Sequence, residues 1–223
     1  MRTLEATLRQ GLTALDLVLT DDQISCLLDY LALIQKWTKV YNLTAVRDPA
    51  EMLTHHLLDS LAVIAPLRRQ LAAMADPQAS ASGPRLLDVG SGAGLPGVVI
   101  AICCPEITVH CVDTVAKKAA FIQQVAVTLK LPNLRGVHAR VESLTDKYQV
   151  ISSRAFASLV DFTNWSTKAL AEQGVWMAMK GKHPADEVAA LSSAVSVFHV
   201  EQLDVPGLGA ERCIVWMRPL VLG

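Results

Sequence analysis

The chain has 223 residues, with 20 Lys+Arg against 21 Asp+Glu, 52% apolar residues and 5% aromatics. That length supports one large domain, or a domain of about 150 residues with a smaller appendage, and needs no disulfide staples to bury a core. A formal charge of −1 excludes a wholly basic protein that coats nucleic acid and also a polyanionic disordered chain, so any RNA or DNA site must be local.

The opening residues Met1-Arg2-Thr3-Leu4-Glu5 put charge where an export signal needs an apolar stretch, and Arg9 interrupts the next one. The longest strongly apolar run, 95–104, includes Pro96 and Gly97 and is about half the roughly 20 residues that a spanning helix needs. A cytoplasmic protein with no membrane partner is expected. Cys26, Cys103, Cys104, Cys111 and Cys213 form an odd set without a C-x-x-C pair. They read as reduced, buried thiols rather than a disulfide framework or a metal site.

Residues 1–75 read as a helical extension. Thr20 followed by Gln23 is a capping-box pattern, and Ile24, Leu27, Leu28, Leu31 and Ile34 share one face of a helix over about 21–39. Asp48-Pro49-Ala50-Glu51 supplies an N-cap, a first-turn proline and an acidic third residue. Leu53, Leu57, Leu61 and Ile64 then continue an apolar stripe to Pro66, which predicts one helix. Residues 76–84 are small and polar and read as a linker, leaving 85–223 as the second domain.

From there strands and helices alternate. Short β-prone runs at 85–89, 107–112, 134–139, 150–153 and 175–179 stand among amphipathic stretches such as 114–130 and 158–171. Such alternation predicts an α/β domain whose mostly parallel sheet is covered by helices. Runs at 196–203 and 212–217 are joined by a loop with Pro206, Gly207 and Gly209, too short for a crossover helix. They are expected to pair as a C-terminal antiparallel hairpin at the sheet edge.

Asp88-Val89-Gly90-Ser91-Gly92-Ala93-Gly94-Leu95-Pro96-Gly97 follows the first strand and leads into a helix. Close glycines let the backbone turn tightly and let a ligand approach the main chain. Asp113 ends the second strand, 21 residues after Gly92, where a carboxylate can accept both hydroxyls of a ribose. Gly92, Asp113 and the loop therefore point to an adenosine-containing cofactor. The spacing Gly92-x-Gly94-x-x-Gly97 also satisfies the dinucleotide pattern, so a nicotinamide reading stays open on the motif alone. Three features favour S-adenosyl-L-methionine instead. Asp88 would repel a pyrophosphate but attract the ammonium of a bound amino acid. The terminal hairpin is foreign to a plain dinucleotide fold. No Tyr-x-x-x-Lys pair exists, since Tyr30, Tyr41 and Tyr148 are followed four residues on by Ile34, Ala45 and Ser152.

The sequence resembles a bacterial family, glucose-inhibited division protein B, otherwise ribosomal RNA small subunit methyltransferase G. The matching segments run from Trp37 through Asn42-Leu43-Thr44, His56-Leu57-Leu58-Asp59, the glycine loop, Val112-Asp113 with Lys117-Lys118, Arg140-Val141-Glu142 and Ser153-Arg154-Ala155-Phe156 to Lys180-Gly181, with Glu211-Arg212 near the end. Gln149 and Thr114 depart from that pattern, where relatives often have an acidic residue and a serine.

The resemblance implies a Class I (Rossmann-like) S-adenosylmethionine-dependent methyltransferase fold with an N-terminal helical extension. It further implies methylation of N7 of a guanine in 16S ribosomal RNA, at the guanine 527 site, with that RNA or a small ribosomal subunit as partner. Its cofactor positions fall on Gly90, Leu95, Val141, Glu142 and Arg154; Gly90, the Val141-Glu142 turn and Arg154, like Asp113, each follow an expected strand.

Guanine N7 already carries a lone pair, so attack on a sulfonium methyl needs no deprotonation, and no catalytic side chain is named. A guanidinium would repel a sulfonium, which places Arg154 against the methionine carboxylate or an RNA phosphate. Asn42, Thr44, His56, Lys180 and Lys182 are the candidate RNA contacts, with Lys36, Lys39 and Arg47 flanking the first two. Basic residues are expected to gather on the face carrying Arg154, Lys180 and the 36–47 segment. Methylation of a small molecule or protein, and a non-catalytic cofactor-binding assembly factor, remain as alternatives.

Overall fold

A computed structural model describes residues 2–75 and 83–220; positions 76–82 of the expected linker lie outside them. Helix α1 (Arg2–Ala14) is followed by α2 (Asp21–Tyr41), which Thr20 caps through the expected box: Gln23 N–H donates to Thr20 Oγ1 and Thr20 N–H to Gln23 Oε1. It ends where Asn42 turns into the left-handed region at φ 50 and its N–H donates to the Thr38 carbonyl, a C-cap that asparagine tolerates.

The single helix expected up to Pro66 is divided. Asp48 Oδ1 accepts from the N–H groups of Ala50 and Glu51 to start α3 (Pro49–Met52), and a π-helical turn (Leu53–Leu58), α4 (Asp59–Leu61) and α5 (Ile64–Met74) follow. Pro66 falls in the first turn of α5. Its missing N–H has no helical partner there anyway, so it starts a helix instead of stopping one.

The strands are β1 (Arg85–Val89), β2 (Thr108–Asp113), β3 (Leu134–His138), β4 (Tyr148–Arg154), β5 (Leu170–Lys180), β6 (Val195–Leu203) and β7 (Arg212–Pro219). Between them lie α6 (Gly97–Cys103), α7 (Ala116–Thr128), α8 (Leu159–Ser166) and α9 (Ala185–Ala189). The seven strands form one sheet in the order β3-β2-β1-β4-β5-β7-β6. β1 to β5 are parallel, and β7 runs antiparallel to both β5 and β6, so the expected hairpin is present with β6 at the edge. The helix expected over 158–171 stops at Ser166, and β5 begins at Leu170, earlier than expected. Thr163, Ser166 and Thr167 each bond back to a carbonyl four residues earlier, which weakens and bends a helix, and a 3-10 turn (Thr167–Ala169) leads into β5.

Side-chain alternation splits the sheet into two apolar layers. Leu86, Val109, Val150 and Met177 face one side, where they join a core built with Leu27, Ile34, Leu57, Val98 and Phe121 from the helices. Leu87, Val112, Ile151 and Trp176 face the other, with Leu159 and Phe162 of α8. The N-terminal helices thus share a core with one face of the sheet. Strand order reverses between β1 and β4, and in an open α/β sheet ligands bind in the crevice beyond the carboxyl ends of the strands at such a point.

Candidate active site

The crevice starts at the glycine loop. Gly90, Gly92 and Gly94 have φ of 65, 60 and 90, values that cost other residues about 1–2 kcal/mol. A Cβ on Gly90 would come within 2.2 Å of Phe156 Cδ2. The loop is held from three directions. Gly92 N–H donates to Asp113 Oδ2 at 3.1 Å, Gly97 N–H to Asp88 Oδ2 at 3.0 Å, and Tyr30 O–H of α2 to the Ala93 carbonyl at 2.6 Å.

Asp88 corrects an expectation. It is fully buried, its second oxygen accepts from Ser152 Oγ at 2.9 Å, and it lines neither cavity at the strand ends. It joins β1, β4 and the start of α6 rather than waiting for an ammonium. Burial pushes its carboxyl up to about 6, against the opposing pull of the Ser152 and Gly97 hydrogen bonds.

Two adjoining cavities open at the strand ends. The larger, of ≈ 560 Å³, lies between Thr44, His56 and Asp59 on the helical side and Gly90, Arg154 and Lys180 on the sheet side. A second, of ≈ 380 Å³, is lined by Asp113, Val141, Glu142, Phe156 and Trp165. Gly90, Lys118 and Ala155 line both. Sizes in this range are usual for small-ligand sites. All seven expected cofactor positions lie in this crevice: Gly92, Leu95 and Arg154 in the larger cavity, Asp113, Val141 and Glu142 in the smaller, and Gly90 at the junction.

Asp113 accepts from Val115 N–H at 2.8 Å through Oδ1 while Oδ2 serves Gly92. Lys118 Nζ also lies 3.8 Å from Oδ2, and of the roughly four acceptor positions of a carboxylate those not used by the two N–H groups remain for hydroxyls and this lysine. Phe156 and Trp165 meet edge to face with centroids 5.9 Å apart, forming an aromatic wall beside it.

Arg154 is already engaged. Its Nη1 donates to Asp59 Oδ2 at 2.7 Å and to the His55 carbonyl at 2.9 Å, the latter offered by the π-helical turn. Arg212 at the start of β7 donates through Nε to Asp59 Oδ1 at 2.9 Å. One carboxylate, 2% exposed, thereby holds two guanidinium groups at the cavity wall. Among the described residues, Arg154 Nε and Nη2 make no hydrogen bond.

Lys118, Arg154, Lys180 and Arg212 line the larger cavity against the single carboxylate of Asp59, so its charged lining is mainly basic. Lys180 is paired with Glu187 at 2.8 Å. His56 is buried, its Nε2 lies 2.8 Å from Thr44 Oγ1, and Val46 N–H donates to that same hydroxyl oxygen. Burial first, and Arg154 second, lower its pKa to about 4, so the imidazole is neutral near pH 7. Its Nδ1 and the Ser91 hydroxyl, both on residues lining this cavity, are buried polar atoms without a hydrogen-bond partner among the described residues.

Two expected RNA contacts lie elsewhere. Asn42 Oδ1 accepts from Arg47 Nη2 at 2.6 Å outside both cavities, and Lys182 is exposed beyond them. Conversely, Asp59 and Arg212 are site residues that spacing did not single out. They fall inside the quoted motif segments, but their meeting across 153 positions leaves no local pattern. Among the described residues no group of three or more His, Cys, Asp or Glu is placed to hold a metal, and no helix is long and apolar enough to cross a membrane.

A parallel sheet with one reversed strand next to its edge, carrying a glycine turn after β1 and a carboxylate at the end of β2, defines a Class I S-adenosylmethionine-dependent methyltransferase. The family model for rRNA small subunit methyltransferase G matches residues 23–215, and the chain belongs to that family. It is 75% identical over 220 residues to the ribosomal RNA small subunit methyltransferase G of Albidiferax ferrireducens, covering 98% of each chain. The protein of the same name from Acidovorax sp. is 68% identical over 216 residues, covering 97% of this chain and 96% of that one. Among solved structures, coclaurine N-methyltransferase bound to N-methylheliamine and SAH superposes with a TM-score of 0.56 at 11% identity over 91% of this chain and 72% of that one. At that identity the likeness concerns the fold.

Proposed function

We propose that this enzyme transfers a methyl group from S-adenosyl-L-methionine to N7 of a guanine in 16S rRNA, at position 527, acting in the cytoplasm on a small ribosomal subunit or its precursor. The observation that carries the reading is the division of the crevice into two chemically distinct lobes. The smaller fits an adenosine: Asp113 keeps acceptor positions for ribose hydroxyls, Glu142 adds a second carboxylate, and Val141, Phe156 and Trp165 supply apolar and aromatic walls. The larger lobe, with its basic lining, fits an amino-acid carboxylate and the phosphates that bring a base into place.

When bound, the cofactor supplies an electrophilic methyl group on a sulfonium. The protein's part is to position and to exclude water. Gly90, with no Cβ, permits close approach to the main chain, and Arg154 presents Nε and Nη2 to a carboxylate while Asp59 and the His55 carbonyl fix its other arm. A guanine N7 needs no proton removed. The site suits that requirement: Asp59 is held by two arginines, and His56, whose Nε2 is engaged by Thr44, is left a weak base by its pKa of about 4. His56, Thr44 and Lys180 line the lobe where the base must enter. The sequence division into a helical extension at 1–75, a linker at 76–84 and a methyltransferase domain at 85–223 is retained as part of this reading.

The deciding measurement is chemical cleavage mapping of N7-methylguanine in rRNA from cells with and without the protein. One cleavage site should vanish in its absence; an unchanged pattern would refute the assignment. Methyl-labelled cofactor with purified small subunits and with deproteinised RNA separates the alternatives. Label in protein or small molecules alone points to another substrate class, and cofactor binding without label points to a non-catalytic assembly factor.

A further inference from the structure

The C-terminal turn of α2 carries an unusual surface. Val40 is 70% exposed and Tyr41 44% exposed, yet the tyrosine is not loose. Its ring lies 5.1 Å from that of Trp37, and Trp37 in turn lies 5.2 Å from Phe121, which is fully buried in α7. Three aromatic rings therefore run from the core to solvent, and the outermost is held by the two beneath it. Lys117, also on α7, places Nζ 5.4 Å from the Tyr41 ring centroid. Among the described residues the Tyr41 hydroxyl makes no hydrogen bond.

The charges around this ring are unbalanced. Lys117, the cation beside the ring, forms no ion pair among the described residues, and Lys36 and Lys39, also without an ion pair there, lie on other faces of α2. Arg47 bonds only to neutral groups, the Thr38 carbonyl and the Asn42 amide oxygen, and the nearby Asp48 is committed to capping α3. The patch adjoins the crevice along the chain on both sides, because Leu43 and Thr44 line the larger cavity and Lys118 lines both cavities. A rigid, exposed aromatic face with an unpaired lysine beside it matches single-stranded nucleic acid, whose bases stack on such rings while a phosphate meets the lysine. A protein partner would give the unpaired lysine no use without acidic groups of its own.

We propose that Tyr41 and Lys117 form a stacking platform for an unpaired nucleotide of the RNA that flanks the target guanine. This rests on RNA being the substrate. The platform holds the strand beside the crevice and takes no part in the chemistry, so it acts on RNA affinity rather than on turnover or cofactor binding.

The test uses the full-length protein with two probes, a fluorescein-labelled single-stranded RNA of mixed sequence and a duplex of the same length, alongside steady-state methylation of small subunits. Tyr41→Ala should weaken single-strand binding and raise KM for subunits about tenfold, equivalent to about 1.4 kcal/mol, with kcat and cofactor Kd unchanged within about twofold. Tyr41→Phe, which keeps the ring, should behave as wild type. Lys117→Ala, at an exposed position that leaves the core intact, should weaken binding less and reduce the salt slope of log Kd by about one. Unchanged single-strand affinity in both alanine variants overturns the platform. So does an equal loss on duplex and single strand, which would indicate phosphate contact without stacking. A wild type that labels subunit RNA while Tyr41→Ala keeps its KM removes the platform alone. A wild type that labels no RNA removes the substrate reading and the platform with it.

Discussion

Arg154 at the end of β4 donates to the Asp59 carboxylate at 2.7 Å, which joins the sheet to the helical segment across 95 positions of chain. Because Arg212 takes the other oxygen, loss of the carboxylate strands two guanidinium groups at once. Breaking a buried pair by removing one partner costs about 3–5 kcal/mol, and with both arginines about one-quarter exposed the lower end applies. Asp59→Ala should lower stability by about 3 kcal/mol in urea denaturation and reduce methyl transfer at least tenfold. A fully active variant with an unshifted midpoint would remove Asp59 from the site.

Two buried titrating groups pull stability in opposite directions with pH. His56 drops from the usual 6.5 to about 4, so between those values the unfolded chain binds more protons and the His56 contribution falls on acidification. Asp88 rises from 3.8 to about 6, so in that window the folded chain binds more protons and gains stability as acid is added. Each is worth on the order of 3 kcal/mol over its full span, and between pH 4 and 6 they largely offset. Asp88→Asn leaves His56 unopposed, and its urea midpoint should fall more steeply from pH 6 to 4 than that of the wild type. Parallel midpoint curves for the two proteins would contradict this.

Gly90→Ala introduces both backbone strain at φ 65 and a Cβ against Phe156. The Phe156 ring must shift, and because it lines the smaller cavity with Trp165, the shift alters the wall proposed to meet the adenosine. Calorimetry should show cofactor affinity about tenfold weaker, with Trp165 fluorescence responding less to titration. An affinity equal to wild type would place the nucleoside elsewhere.

Tyr30→Phe removes one hydroxyl and leaves the Ala93 carbonyl without its donor. Loss of a single buried hydrogen bond costs about 1–3 kcal/mol where the partner stays unsatisfied. The expected outcome is a stability loss in that range together with faster hydrogen exchange at Gly92 and Gly94. Unchanged exchange at those amides would show that α2 does not stiffen the loop.

Local signals in the sequence carried well where a short segment decides its own conformation. The Thr20–Gln23 box, the Asp48 cap, the glycine turn and the terminal hairpin all form as their residue types dictate. Where partners meet from afar the sequence was silent or misleading. Asp88 was expected to face the ligand because it precedes a ligand loop, but Ser152 on β4 and Gly97 on α6 turn it inward. Pro66 reads as a stop signal, yet the same ring is neutral in a first turn, and the break at 62–63 that puts it there leaves no local mark. The resemblance puts Arg154 in the crevice, whereas its restraint by Asp59 depends on packing between segments that no spacing rule connects.

The hydrogen bond from Tyr30 to the glycine loop spans 63 positions, and with Asp59 it makes the helical segment a wall of the crevice rather than an appendage to it. A fragment beginning at Arg85 would retain every cofactor motif that a pattern search looks for. It would still lack one side of the larger cavity, the anchor of Arg154 and the brace on the loop. In this family member, therefore, the smallest stretch of chain that carries the signature is shorter than the smallest stretch that builds the crevice.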